Sequence, residues 1–276
     1  MKFWFQSILL ARLANVSYQV ERSLDRKKTM TGELRYSFGQ TKLSELLVPE
    51  LVLEQDRSVR LSTFSGTFIK DTRDKPLDAH KGLYQTTDYG VTSTIFGASA
   101  DFHRLLTQTA YYKGWGHGIV FANSLRLGLA KAFSGDTVPT SERFFAGGAT
   151  TLRGFSLNAA GPQRAVAVCT TSTADPTTCP QIIIPVGGNQ LFIFNSEMRF
   201  PLPIIKNLGG VLFYDGGNVY QNINFRQFLD NYTNTVGFGI RYNTPVGPVR
   251  FDVGHNLNPI TGLKSTQFFV TLGQAF

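Results

Sequence analysis

The sequence predicts an all-β fold, a transmembrane antiparallel β-barrel of about twelve strands. Three observations predict it. Apolar and polar residues alternate with period two through most of the chain. The alternating segments are long, often about 10 to 16 residues, where globular strands usually run about 5 to 6. Their connections alternate between short and long, as the turns and outer loops of outer-membrane barrels do.

In the first half, strands are placed near 13–24, 29–40, 57–71, 82–97 and 101–114. In the second half, 116–133 rises to a very long loop, about 134–189. Residues 190–202 return to the tight turn Pro201-Leu202-Pro203, and 208–220 rise to a loop at 221–234. Residues 235–244 return to the turn 245–248, 249–256 rise to a loop at 257–265, and 266–276 return. Proline suits these turns because it cannot donate to a strand ladder. The faces are distinct: in TVGFGIRYNT, Val236, Phe238, Ile240 and Tyr242 oppose Gly237, Gly239, Arg241 and Asn243. These segments give eleven strands, whereas bacterial barrels normally have an even count. Lys2–Leu10 is a candidate twelfth; otherwise the chain is a piece of a larger barrel. The stretch FWFQSILLARLA faintly resembles a signal peptide, but it is too short and Arg12 interrupts it.

Composition narrows the classes. Of 276 residues, 42% are apolar, 13% aromatic and only 17% charged, which argues against disorder. Two cysteines exclude a disulfide-dense scaffold. No run approaches the roughly 18 to 20 apolar residues of a spanning helix. The net charge of +8 is spread among Asp and apolar residues without a dense basic run or nucleic-acid motif, so nucleic acid is not expected as a partner. His80, His103, His117 and His255 are scattered, and no metal-ligand spacing, phosphate loop or nucleophile elbow is present. No metal, cofactor or enzymatic activity is expected.

The long loop contains RFFAGGATTLRGF, residues 143–155. It resembles the signature of the BamA/TamA family of outer-membrane assembly barrels, also called bacterial surface antigens, roughly R-F-x-x-G-G-x-x-x-[VI]-R-G-[FY]. Leu152 stands where Val or Ile is usual. Other segments agree in order. Residues 66–82, with Asp71, Arg73 and Asp74, resemble the family's D-x-R-D-x-P turn. Phe213-Tyr-Asp-Gly-Gly217 matches F-x-D-x-G, and GFGIRYNTPVGPVRFD, with Arg241 and Asp252, resembles G-x-G-x-R-x-x-T-P-x-G-P-[LV]-R-x-D. The final LGQAF resembles the aromatic-ended closing strand, with Phe276 as its signal. The resemblance spans about residues 57–276.

The resemblance implies that the loop folds back into the lumen, where Arg153, followed by Gly154 and Phe155, meets Asp215 and Glu197. Gly147 and Gly148 provide the loop's turn. Parity independently puts both carboxylates on the non-lipid face, where ionised groups are far less costly. The alternative is a solvated Arg153, with Asp215 paired to Arg241 or Arg199. Cys169 and Cys179, in the same loop, form either a local disulfide or two free thiols.

The resemblance further implies a single barrel domain over 1–276, with no POTRA domain, in the bacterial outer membrane. Its function would be assembly of β-barrel proteins, or secretion, by opening of the seam between first and last strands and perturbation of the bilayer. Expected partners are outer-membrane lipids, unfolded β-barrel proteins, and periplasmic or lipoprotein partners. The alternatives are a passive pore or structural barrel, and an outer-membrane enzyme, for which no catalytic grouping is readable.

Overall fold

The computed structural model describes residues 10–44, 54–133, 137–167, 179–222, 225–245, 247–258 and 264–276. The strands are β1 (Leu10–Ser23), β2 (Met30–Ser44), β3 (Ser58–Asp71), β4 (Gly82–Thr92), β5 (Phe102–Gly114), β6 (Val120–Ala132), β7 (Gln163–Ala167), β8 (Gln181–Pro185), β9 (Gln190–Pro201), β10 (Leu208–Tyr220), β11 (Thr233–Thr244), β12 (Gly247–Asn256) and β13 (Thr266–Leu272). Eleven of them form one sheet in the order β1-β2-β3-β4-β5-β6-β9-β10-β11-β12-β13. Every neighbouring pair is antiparallel. The sheet is that of a β-barrel, and most of its strands reach the roughly 9 to 11 residues that a tilted crossing needs. It curls strongly: the Tyr112 hydroxyl on β5 donates to the Phe276 carbonyl beyond β13, at 2.7 Å. Among the described residues, β1 and β13 are the edge strands.

Alternation sets the two faces. Along β9, Leu191, Ile193, Asn195, Glu197 and Arg199 are buried, and Phe192, Phe194, Ser196, Met198 and Phe200 lie on the outer face. On β11, Val236, Phe238, Ile240 and Tyr242 are exposed on that outer face. A soluble sheet puts its polar face in water. This one shows apolar side chains outward and buries its charges, which suits a hydrocarbon surrounding.

The structure departs from the sequence expectation in four places. The long loop is not irregular throughout: β7 and β8 pair as a hairpin within it. The 221–234 connection contains a short helix, α1 (Phe225–Asp230), whose Phe228 packs edge-on to Phe192 at 5.2 Å. The segment expected over 82–97 stops at Thr92, and a tight turn follows over Thr94–Phe96. Asp101 enforces that stop by accepting from the Ser93 hydroxyl and the Thr94 N–H, both at 2.7 Å. The last strand ends at Leu272. Gly273 takes φ 88°, and Phe276 then turns toward Tyr112, with ring centroids 6.3 Å apart. The candidate strand Lys2–Leu10 lies outside the described residues except for Leu10, which opens β1.

The principal apolar core lies between the sheet and residues 138–160. Phe144, Leu152 and Phe155 of the loop pack with Phe102, Leu191, Ile193 and Val219 of the strands. The loop therefore fills the inner side of the sheet at that level. Phe238 is 56% exposed on the outer face. Phe238→Arg should weaken folding into lipid vesicles by about 2–4 kcal/mol, the cost of a cation facing mid-bilayer hydrocarbon. Urea titration of vesicle-folded protein reads it; an unchanged midpoint would mean this face does not meet lipid.

Candidate functional site

Four adjacent strands build the receiving wall. Register aligns Glu197 on β9 with Phe213 on β10, Phe213 with Gly237 on β11, and Gly237 with Gly254 on β12. The row therefore runs acid, flat ring, glycine, glycine. It is a furrow with a carboxylate at one end. A Cβ on Gly254 would strike the backbone carbonyl of Arg153, and one on Gly154 would strike Thr235 and Asn256. Glycine on both sides lets the loop backbone lie directly on the wall.

The loop tip is a compact turn. Gly147 and Gly148 take φ 111° and 101°, a region that only glycine enters without strain. The Gly147 N–H donates to Thr151 Oγ1 at 2.8 Å, and the Gly148 N–H to the Phe155 carbonyl at 3.0 Å. Asn195 on β9 donates to the Thr151 carbonyl at 2.6 Å and to Asp215 Oδ1 at 2.8 Å, tying turn to wall.

Arg153 projects from this turn and is 1% exposed. Its Nε donates to Asp215 Oδ2 at 2.8 Å and its Nη2 to Asp215 Oδ1 at 2.7 Å, a bidentate pair. Its backbone N–H also donates to Asp215 Oδ2, at 3.0 Å. Nη1 donates to Glu197 Oε1 at 2.5 Å. The guanidinium carbon lies 3.5 Å from the centroid of the Phe213 ring. One cation is thus held by two carboxylates and an aromatic face, away from water, where such contacts are strongest.

The network extends along both sides. Arg199 donates through Nε to Glu197 Oε2 at 2.8 Å. Arg241 donates to Asp252 Oδ1 at 2.5 Å, and Asp252 Oδ2 lies 3.8 Å from Arg153. Arg250 donates to the Ala149 carbonyl of the loop and to the Thr271 hydroxyl of β13. Arg199 and Arg241 thus serve Glu197 and Asp252, and Asp215 serves the loop.

The remaining motif residues lie elsewhere. Gly217 takes φ 128° on β10, where a Cβ would strike the Phe192 backbone. Arg73 is bidentate to Asp71, through Nε at 3.0 Å and Nη2 at 2.7 Å, and stacks on Tyr84 at 4.1 Å. Asp74 Oδ1 accepts from the N–H groups of His80 and Lys81 at 2.9 and 3.1 Å. Desolvation pushes the Asp74 carboxyl up, but those backbone bonds outweigh it and hold it below the usual range. The Asp71–Asp74 turn is therefore separate from the Arg153 cluster. Cys179 is disulfide-bonded; Cys169 lies outside the described residues. Among the described residues no group of His, Cys, Asp and Glu is placed to hold a metal.

Sequence reasoning missed Phe213, Asn195 and Arg250 as members of the site and offered Arg199 only as an alternative partner of Asp215. Parity alone flags the two arginines, because each sits two residues from a carboxylate on the same face. Phe213 carried no such signal: it shares the inner face of β10 with Val211 and Val219, so its ring looks like a core residue.

Comparison with known proteins gives a consistent picture. Residues 11–276 match the Omp85 superfamily domain. A SAM50-like protein of Schizosaccharomyces pombe is 27% identical over 83% of this chain and 47% of its own length. The outer membrane protein assembly factor BamA of Nitratidesulfovibrio vulgaris is 25% identical over 76% of this chain and 25% of its own length. The chain thus spans less than half of either relative. Among solved structures, BamA from Haemophilus ducreyi lacking POTRA domains 1–3 superposes with a TM-score of 0.76 at 18% identity, covering 96% of this chain and 54% of that one. CdiB from Escherichia coli superposes at 0.60 and 15% identity, covering 95% and 45%.

Removing Arg153 leaves buried carboxylates uncompensated. Arg153→Ala should cost about 3–5 kcal/mol. Gly254→Val, which leaves every charge in place, should release the same loop by blocking the Arg153 backbone. Limited proteolysis should cut both variants within 143–160 faster than the parent. Equal cleavage in all three would separate the loop's seating from the clamp.

Proposed function

The chain belongs to the Omp85 superfamily, its barrel being of the BamA/TamA type, and on that premise we propose that it inserts β-barrel proteins into an outer membrane or secretes proteins across it. The observation that carries this reading is the loop clamped by Arg153 over the inner wall of β9 to β12. A general porin needs an open lumen, whereas the core around Phe144, Leu152 and Phe155 occupies it. The relatives come from a bacterium and a yeast, so the membrane is the outer membrane of a bacterium or of a mitochondrion.

The proposed mechanism is mechanical, with no covalent step. Among the described residues β1 is an edge strand, with Leu13, Val16 and Tyr18 all more than 70% exposed, and such an edge offers backbone groups for pairing. An incoming strand of an unfolded barrel protein adds to that edge by backbone pairing. β13, at only 7 residues, sets a short closing edge that thins the bilayer locally. The clamp holds β9 to β12 as a rigid body against which the seam opens. Outer-membrane lipids and unfolded barrel proteins are the partners, with periplasmic or lipoprotein partners delivering substrate.

The test is co-folding. The chain is folded into lipid vesicles, an unfolded test barrel is added, and its folding rate is followed. Acceleration that falls toward the uncatalysed rate in Arg153→Ala supports insertion. No acceleration by verified folded protein transfers the reading to a passive or structural barrel. Phe276→Ala, which removes the ring beside Tyr112, should slow the chain's own folding into the same vesicles. Unaltered kinetics would deny Phe276 a part in closing the barrel.

A further inference from the structure

The buried cluster does not balance. Four guanidiniums, Arg153, Arg199, Arg241 and Arg250, face three carboxylates, Glu197, Asp215 and Asp252, and all seven are buried. Arg241 and Arg250 stand directly opposite each other in register, an arrangement that like charges disfavour. Several of their N–H groups have no hydrogen-bond partner among the described residues: Arg199 Nη1, Arg241 Nε and Nη2, and Arg250 Nη1; on the acidic side Asp252 Oδ2 has none, though it lies 3.5 Å from Arg250 Nε. The nearest carboxylate oxygen to Arg241 Nη2, on Glu197, is 3.7 Å away. An uncompensated charge in such surroundings is strongly unfavourable.

Arg199 and Arg241 wall a cavity of about 610 Å³ at the short-turn mouth of the barrel. Lys206, exposed on the β9–β10 turn, stands at its rim. Asp78 and His80 also line it; Asp78 Oδ1 accepts from Gln274 Nε2 at 2.8 Å, and its Oδ2 lies 3.9 Å from His80 Nε2. Gly209 pairs in register with Arg241, and both residues line the cavity. The volume far exceeds a single water's share of about 30 Å³, so a polyatomic ion fits. Guanidinium forks match the oxygens of phosphate in pairs.

We propose that this cavity binds a phosphate-type oxyanion, supplied as free phosphate or as the phosphoryl headgroup of a lipid, whose charge completes the buried arginine cluster. The site is independent of any assembly activity, and its test does not use one. The full chain is folded in a non-ionic maltoside detergent. Its unfolding midpoint is compared in sodium phosphate and sodium chloride at equal pH and ionic strength, and inorganic phosphate is titrated calorimetrically. Phosphate should raise the midpoint saturably, as a ligand of the native state does. Lys206→Glu, outside the buried cluster, should weaken phosphate binding by about threefold, the scale of one exposed charge pair. Arg241→Gln should abolish the response; if it does not fold, the comparison of Lys206→Glu with the parent still decides. Repeating the titration in phosphatidylcholine vesicles separates the sources: a response lost there assigns the site to lipid headgroups, and a response retained assigns it to free phosphate. Equal midpoints in phosphate and chloride with no binding heat, or a response unchanged in Lys206→Glu, overturns the proposal.

Discussion

The structure turns on one buried cation. Arg153 reaches the inner wall from a loop more than 40 residues distant in sequence from Glu197 and Asp215, the two carboxylates that hold it. Such a contact is expensive to assemble, because three charged groups must leave water together. The wall repays that cost through geometry. Asp215 takes three N–H bonds from Arg153 and one from Asn195, so its oxygens are satisfied. Phe213 supplies a face where a polar side chain would compete for the carboxylates. Gly237 and Gly254 supply depth. Without that depth the loop backbone stands off the sheet and the guanidinium falls short of both acids.

The clamp also distributes rigidity unequally around the sheet. Arg153 engages β9 and β10, and Arg250 joins the loop's Ala149 carbonyl to Thr271 on β13. One edge of the sheet is therefore tied to the loop by side chains. At the other edge, among the described residues, β1 pairs only with β2, and its side chains from Leu13 to Ser23 are exposed on both faces. An edge held on one side and unsupported on the other is where a two-state opening costs least, since the fewest packed contacts must be broken.

Most of the fold was legible because a membrane sheet writes its pattern strongly. Outward residues such as Phe238 and Ile240 must be apolar, and inward ones such as Gly239 and Arg241 are not, so parity locates each of the eleven sheet strands. What escaped were elements that no period announces. The β7–β8 hairpin is five residues a side, too short for alternation to stand out. The break after Thr92 depends on Asp101 capping a turn from a distance, and the end of β13 depends on Gly273 at positive φ. The acids of the site were readable from parity and motif. Phe213 was not, because a ring on the inner face looks like a core residue until a cation is set on it.

Parity also identifies what the clamp alone does not explain. Two carboxylates and the Phe213 ring are enough to seat Arg153, yet the same face carries three more arginines and only one more acid. If their role were to neutralise Glu197 and Asp252, two would suffice, and placing Arg241 opposite Arg250 would be a cost without return. The inner face instead grades from a satisfied centre, where Asp215 has no free valence, to a periphery where Arg199, Arg241 and Arg250 keep buried N–H groups, and Asp252 one buried oxygen, without hydrogen-bond partners among the described residues. A network built only for stability would place its unsatisfied groups in water, where they cost little. Here they are buried, and two of the arginines, Arg199 and Arg241, line a cavity. An anion held in that cavity would add negative charge beside the face that seats the loop.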